Sequence, residues 1–264
     1  MTEDQEFPAL DLAGVRVMMH PGLREVPVSE FWASGTTLAG ARGRGGAGLI
    51  ELGPGVTGVF RDYRRGGALG WLLPRSYLDP DRPRRELKAL ARLRRAGVPV
   101  VEPLAALSRR HLVIFHRLRL ITRYLVGARP LPEFLARESA WRRAAVREAG
   151  RVVALAFAAG LVHRDLHPDN LVARVVDGRV EVHLLDLDRA LVRPPLTVAD
   201  KDSMLLRMAR YLRRHAGDLP VCPSAGESLR FLAGMGMSRD ERRRNLDRWR
   251  PMYERQLARH GLAP

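Results

Sequence analysis

The segment HRDLHPDNLVARVVDGRVEVHLLDLD, from His163 to Asp188, limits what this chain can fold into more than any other stretch. Two β-branched runs flank Asp177-Gly178, and both turn residues tolerate positive φ, so the runs are expected to close as a tight hairpin. A hairpin returns the chain to the edge it left. The polar loop before its first strand, His163 to Asn170, and the acids after its second strand, Asp186 and Asp188, should therefore meet at one end of the same two strands.

Length and composition allow a substantial core around this element. A chain of 264 residues suits one large domain or two lobes sharing a cleft. Hydrophobic residues at 46% and charged residues at 28% exclude wholesale disorder. The single cysteine, Cys222, excludes an internal disulfide framework and a cysteine zinc site, and fits a reducing compartment. The acidic start lacks the order of a secretory signal. The longest apolar run, Val152 to Val162, is too short to span ~30 Å of hydrocarbon. A cytoplasmic location is expected.

The formal charge is +16, and only Lys88 and Lys201 among the 45 basic residues are lysines. Such a field attracts polyanions: nucleic acid, an anionic membrane surface or a phosphorylated lipid. No zinc finger, RNP-like run or basic stretch interleaved with aromatics is present, so a nucleic-acid partner is not expected.

The first half reads as strand, glycine-rich loop (Gly40 to Gly48), strand, Gly53-Pro54-Gly55 turn, strand. A helix is expected from Asp79 to Ala96, with Asp81 as cap and Leu87, Leu90, Ala91 and Arg94 on one face. One or two further strands follow within His111 to Val126. In the second half, Ser139 to Ala159 and Thr197 to His215 carry helical periodicity, the first stopped by Gly160 and the second capped by Thr197 and Asp200. Residues 216–264 read as one or two polar helices, with Glu241 to Arg250 as a solvated face. The expected class is α+β, with a β-rich N-lobe over 1–126 carrying one helix and a larger, mostly helical C-lobe over 127–264.

The polar loop has the composition of a phosphoryl-transfer site. That chemistry needs a carboxylate to orient an attacking hydroxyl and accept its proton, and oxygen ligands to hold Mg²⁺ against the phosphates. Asp165 is the candidate base, and Asn170, five positions on, is a candidate metal ligand on the same loop. Asp186 at the far end of the hairpin is the second metal ligand, with Asp188 structural and paired to an Arg of the loop. Gly43 and Gly45 can bring backbone N–H groups onto phosphates. Arg61 ends the third strand where kinases usually place a Lys, and Glu86 on the following helix is its expected partner. Arg64 and Arg65 form either a solvated turn or a basic rim for an anionic acceptor.

With these residues in place, the chain resembles the lipopolysaccharide kinase family, and within it the 3-deoxy-D-manno-octulosonic acid (Kdo) kinases. The matching segments are Glu30-Phe31-Trp32, Gly43-Arg44-Gly45, Arg61 to Gly67 (RDYRRGG), Arg95 to Val100, His163-x-Asp165-Leu166 with Asn170, and Leu185-Asp186-x-Asp188. The resemblance implies a bilobal protein-kinase-like fold with one αC-type helix. It implies transfer of the γ-phosphate of ATP, with Mg²⁺, to a hydroxyl of the inner-core Kdo on lipid A. The enzyme would act peripherally at the cytoplasmic face of the inner membrane. In that scheme Asp165 is catalytic, Asn170 and Asp186 hold the metal, and Gly43, Gly45, Arg61 and Glu86 serve the nucleotide. His167 and Leu187 stand where the family usually has Asn and Phe. Two other readings stay open from the residues: a small-molecule (aminoglycoside-type) or protein kinase of the same fold, and a pseudokinase scaffold.

Overall fold

The computed structural model describes residues 6–12, 14–37, 47–64, 75–111 and 113–259. The chain divides into two compact units: Met1–Arg94 with Val101–Leu125 and Leu187–Arg189, and Arg95–Val100 with Val126–Asp186 and Ala190–Pro264.

The first unit contains strands β1 (Ala9–Leu12), β2 (Val15–Met19), β3 (Thr36–Thr37), β4 (Ala47–Glu51), β5 (Thr57–Asp62), β6 (Pro103–His111) and β7 (Phe115–Arg123), with burial alternating along β4 and β5. They form one antiparallel sheet in the order β1-β2-β6-β7-β5-β4-β3. The glycine turn joins β4 to β5 as expected, with Gly53 at φ 129° and Gly55 at φ 72°, values open to glycine at little cost. Period two then sorts β5. Phe60 enters a core with Val17, Met19, Phe31, Leu107 and Ile121, while Arg61 turns to the opposite face. Helix α1 (Arg82–Arg95) supplies Leu87, Leu90 and Leu93, all fully buried. Arg94, expected on that face, is exposed, and Leu93 occupies its place.

The second unit contains β8 (Arg129–Pro130), α2 (Leu131–Arg137), α3 (Arg142–Ala158), β9 (Leu161–Val162), β10 (Leu171–Val176), β11 (Arg179–Leu184), β12 (Leu191–Val192), α4 (Val198–Arg214), α5 (Ala225–Gly234) and α6 (Arg239–Arg259). The expected hairpin forms in register, Leu171 opposite Leu184, with Asp177 at φ 48° and Gly178 at φ 69°. Thr197 and Asp200 close the expected capping box on α4. A second box, Ser224 with Glu227, starts α5. Glu227 also takes the Arg142 guanidinium, with Nη2 to Oε2 at 3.0 Å, which ties the start of α3 to the start of α5.

Helices α3 and α5 touch backbone to backbone. A Cβ at Gly150 would lie 2.0 Å from the Phe231 carbonyl oxygen, and one at Gly234 would lie 2.0 Å from the Arg147 carbonyl oxygen. The Glu241–Arg250 stretch is not wholly solvated. Trp249 is buried and donates from Nε1 to Asp202 at 2.7 Å, beside Arg248 at 2.8 Å. The indole needed a partner for its N–H, and the buried Asp202 carboxylate on α4 provides it.

Two outcomes follow from these contacts. Gly150→Ala must push α3 and α5 apart and should destabilise the protein by roughly 1–3 kcal/mol in denaturant melts. Hydrogen bonding from Arg142, with help from Ser224, outweighs burial and holds the Glu227 carboxyl at about 2. A depressed carboxyl contributes stability above its ordinary value of 4.5 that is lost as pH falls toward 2. Acid titration of Arg142→Met should show a shallower loss over that window than the unaltered protein.

Candidate active site

The loop before the hairpin is built around His163, which is buried. Its Nδ1 accepts from the Asp165 backbone N–H at 3.0 Å, so the proton sits on Nε2, which donates to the Asp186 carbonyl oxygen at 2.6 Å. One neutral imidazole thus links the backbones of the two aspartates. Asn170, also buried, donates from Nδ2 to the Asp165 carbonyl oxygen at 2.7 Å, which leaves its Oδ1 as the atom able to accept a cation. The Leu185 N–H donates in turn to the Asn170 carbonyl oxygen at 2.9 Å. Asp165, Asn170 and Asp186 therefore share one backbone frame, and the Asp165 side chain is 83% exposed.

Around this frame lie His167, noted in the motif for its departure from the family pattern, and two residues that motif reading did not single out, Tyr211 and His215. His167 stacks on Tyr211 with ring centroids 4.2 Å apart and an interplanar angle of 7°, and Tyr211 stacks in turn on His215. The Tyr211 hydroxyl donates to Asp169. Burial lowers the pKa of His167, against the opposing pull of Asp165, Asp169 and Asp186. The His167–Tyr211 contact spans two elements far apart in the chain, and no local spacing announces it.

In the first unit the expected pair forms. Arg61 Nη2 meets Glu86 Oε1 at 2.7 Å and Oε2 at 2.6 Å. The Glu86 carboxylate also accepts from the Tyr63 hydroxyl and, at 3.0 Å, from the Leu187 N–H. Burial, reinforced by the Glu86 charge and opposed by Arg61, pushes the Tyr63 phenol well above its ordinary pKa. Tyr63 had a sequence signal, since period two carries it to the side of the chain that holds Arg61.

Asp188 pairs with Arg82 of α1, with Nε to Oδ1 at 2.7 Å, rather than with an Arg of the loop. Burial opposes ionisation of Asp188, yet the Arg82 guanidinium holds its carboxyl below the usual range. Arg82 also lies over the Tyr63 and Tyr77 rings, at 5.2 and 5.1 Å from their centroids.

Gly43, Gly45, Arg65, Gly66 and Gly67 lie outside the described residues. Among the described residues no group of three or more His, Cys, Asp or Glu side chains is arranged to hold a metal ion. The donor set at 170 and 186, one amide oxygen and one carboxylate, nonetheless suits Mg²⁺. That ion prefers oxygen and commonly takes one or two protein ligands, with water and phosphate oxygens completing its shell.

Comparison with known proteins agrees with this chemistry. The family model described as "Lipopolysaccharide kinase (Kdo/WaaP) family" matches residues 29–221. A protein of Stenotrophomonas maltophilia (strain R551-3) named 3-deoxy-D-manno-octulosonic acid kinase is 32% identical over 196 residues, covering 73% of this chain and 76% of that one. A protein of the same name from Vibrio cholerae is 32% identical over 169 residues, covering 62% and 69%. A solved structure titled "WaaP in complex with acyl carrier protein" superposes with a TM-score of 0.54 over 90% of each chain at 19% identity, and so shares the fold. The expected α+β arrangement, β-rich in its N-terminal part and helical in its C-terminal part, is the one observed.

Replacing Glu86 by Gln removes the charge that raises Tyr63 but not its burial. The tyrosine ionisation, followed by ultraviolet difference absorbance, should move down toward 10.0 without reaching it. Tyr63→Phe leaves the buried carboxylate one donor short and should cost roughly 1–3 kcal/mol of stability in denaturant melts.

Proposed function

The chain belongs to the lipopolysaccharide kinase (Kdo/WaaP) family, and from that premise we propose that it transfers the γ-phosphate of ATP to a hydroxyl of the inner-core Kdo sugar of lipopolysaccharide. The observation that carries this reading is the shared frame of Asp165, Asn170 and Asp186 around the His163 imidazole. The names of the relatives give the acceptor class.

Asp165 receives the proton of the attacking sugar hydroxyl, and its exposed carboxylate can reach a bulky acceptor. The hydrogen bonds from Asn170 and to His163 hold the backbone on both sides of that carboxylate, so its reach is set before substrate arrives. Asn170 Oδ1 and the Asp186 carboxylate hold Mg²⁺, which when bound offsets the negative charge of the nucleotide phosphates. Arg61, oriented by Glu86, contacts the phosphates, and the backbone N–H groups at Gly43 and Gly45 cradle them. No helix among the described residues is long and apolar enough to cross a membrane. Contact with the cytoplasmic face of the inner membrane is peripheral in this reading, each arginine near an anionic surface contributing about 1 kcal/mol.

Asp165→Ala should lower phosphate transfer to Kdo-lipid A by roughly 10²–10⁴-fold, the usual contribution of general base catalysis, with an unchanged circular dichroism spectrum. Retained turnover in that variant would remove Asp165 from the chemistry. Activity confined to a free sugar, an aminoglycoside or a basic protein would remove the lipopolysaccharide assignment.

A further inference from the structure

On the first unit's sheet, Arg109 of β6 lies directly opposite Arg117 of β7, and Arg119 follows on the same face two residues along. Like charges directly opposite on a sheet repel. The acid that lines the same cavity offers no relief. Asp62 is wholly engaged by Arg119, which meets its two carboxylate oxygens at 2.7 and 3.1 Å while donating from Nη1 to the Phe31 and Ala33 carbonyl oxygens at 3.0 Å.

Arg119 is therefore part of the scaffold, whereas Arg109 and Arg117 are left facing each other. Both line a cavity of about 450 Å³ together with Arg64, Arg75 and Trp32. Arg109 lies over the Trp32 ring, 4.8 Å from its centroid. The indole Nε1 of Trp32 and the Nε of Arg117 are shielded from solvent, and neither has a hydrogen-bond partner. Among the described residues no carboxylate pairs with Arg64, Arg75, Arg109 or Arg117.

Four guanidinium groups without a carboxylate partner around one cavity suit a multiply charged oxyanion. A phosphomonoester dianion matches the planar forks of Arg. Neither Arg61 nor Glu86 lines this cavity: alternation along β5 turns Arg61 toward Glu86 and Asp62, which does line it, to the opposite face toward Arg119. Arg64, Arg75 and Arg109 are exposed at its mouth, where a headgroup on a surface can enter.

We propose that this arginine pocket binds a phosphomonoester carried by the glycolipid acceptor, a second anion site that holds the lipid while the sugar is phosphorylated elsewhere. The identity of the lipid rests on the function proposed above, whereas the preference for a phosphomonoester does not.

The test is binding of the full-length protein to phosphatidylcholine vesicles doped with phosphatidic acid, a phosphomonoester, or with phosphatidylglycerol at matched surface charge. The unaltered protein should prefer the phosphatidic acid vesicles, and inorganic phosphate should compete. Arg109→Gln/Arg117→Gln should lose that preference at least tenfold while its melting temperature without ligand stays level or rises, since a repulsion has been removed. A merely structural pair would lower the melting temperature instead. In turnover assays the double variant should raise KM for Kdo-lipid A and leave KM for ATP unchanged. Equal binding to both vesicle types, an unaltered preference in the double variant, or a raised KM for ATP would each overturn the proposal. Arginine-dependent vesicle binding in a protein that fails to phosphorylate Kdo-lipid A would keep the pocket and refute the assigned activity.

Discussion

A buried carboxylate is the constraint around which β5, α1 and the backbone at Leu187 are organised. Glu86 is 2% exposed, and an ionised carboxylate taken out of water must recover its lost solvation from donors. It does so from three directions: a strand residue, Arg61; the residue just past that strand, Tyr63; and the backbone N–H of Leu187. Each donor is fixed by the others' need to satisfy the same two oxygens. The result is an arginine whose position is set by its carboxylate, so that under the proposed function a phosphate meeting it would pay little ordering entropy. Arg stands here in place of the Lys usual in kinases, and one guanidinium nitrogen, Nη2, meets both carboxylate oxygens.

Arginine carries several different tasks in this chain, and its partners tell them apart. Arg82 and Arg142 each join segments far apart in sequence, through Asp188 and Glu227. Arg119 staples two strands and a loop. Arg109 and Arg117 do neither and face each other across a strand pair. Within the excess of +16, some arginines are thus structural, while Arg109 and Arg117 belong to a cluster that lines one cavity.

What was legible in the sequence was what short-range rules control. The Asp177-Gly178 hairpin, the Gly53-Pro54-Gly55 turn, the Thr197 capping box and the Gly160 stop depend on residues within a few positions of one another. The Arg61–Glu86 pair was also legible, because it joins a strand to the helix that follows it. Long-range partners were not. Nothing near Asp188 points to Arg82, 106 residues earlier, and nothing near Trp249 points to Asp202. The apparently solvated stretch around Trp249 misleads for that reason: its polar composition is real, but one buried indole depends on a carboxylate supplied by another helix. The cross-strand meeting of Arg109 and Arg117 likewise exists only once the β6–β7 register is set.

The backbone at Asp186 sits at φ 55°, a left-handed conformation that costs most side chains roughly 1–2 kcal/mol. Aspartate and asparagine tolerate it because a short polar side chain can bond locally, and glycine because it has no Cβ. Under the proposed function the residue at 186 is thereby chosen twice, once by the chemistry of a hard cation and once by chain geometry. Few amino acids meet both demands, and only aspartate meets them with a negative charge. Drift at this position is accordingly confined to a narrow set in which loss of charge and loss of shape become separable events: asparagine keeps the bend and surrenders the anion, while alanine forfeits both.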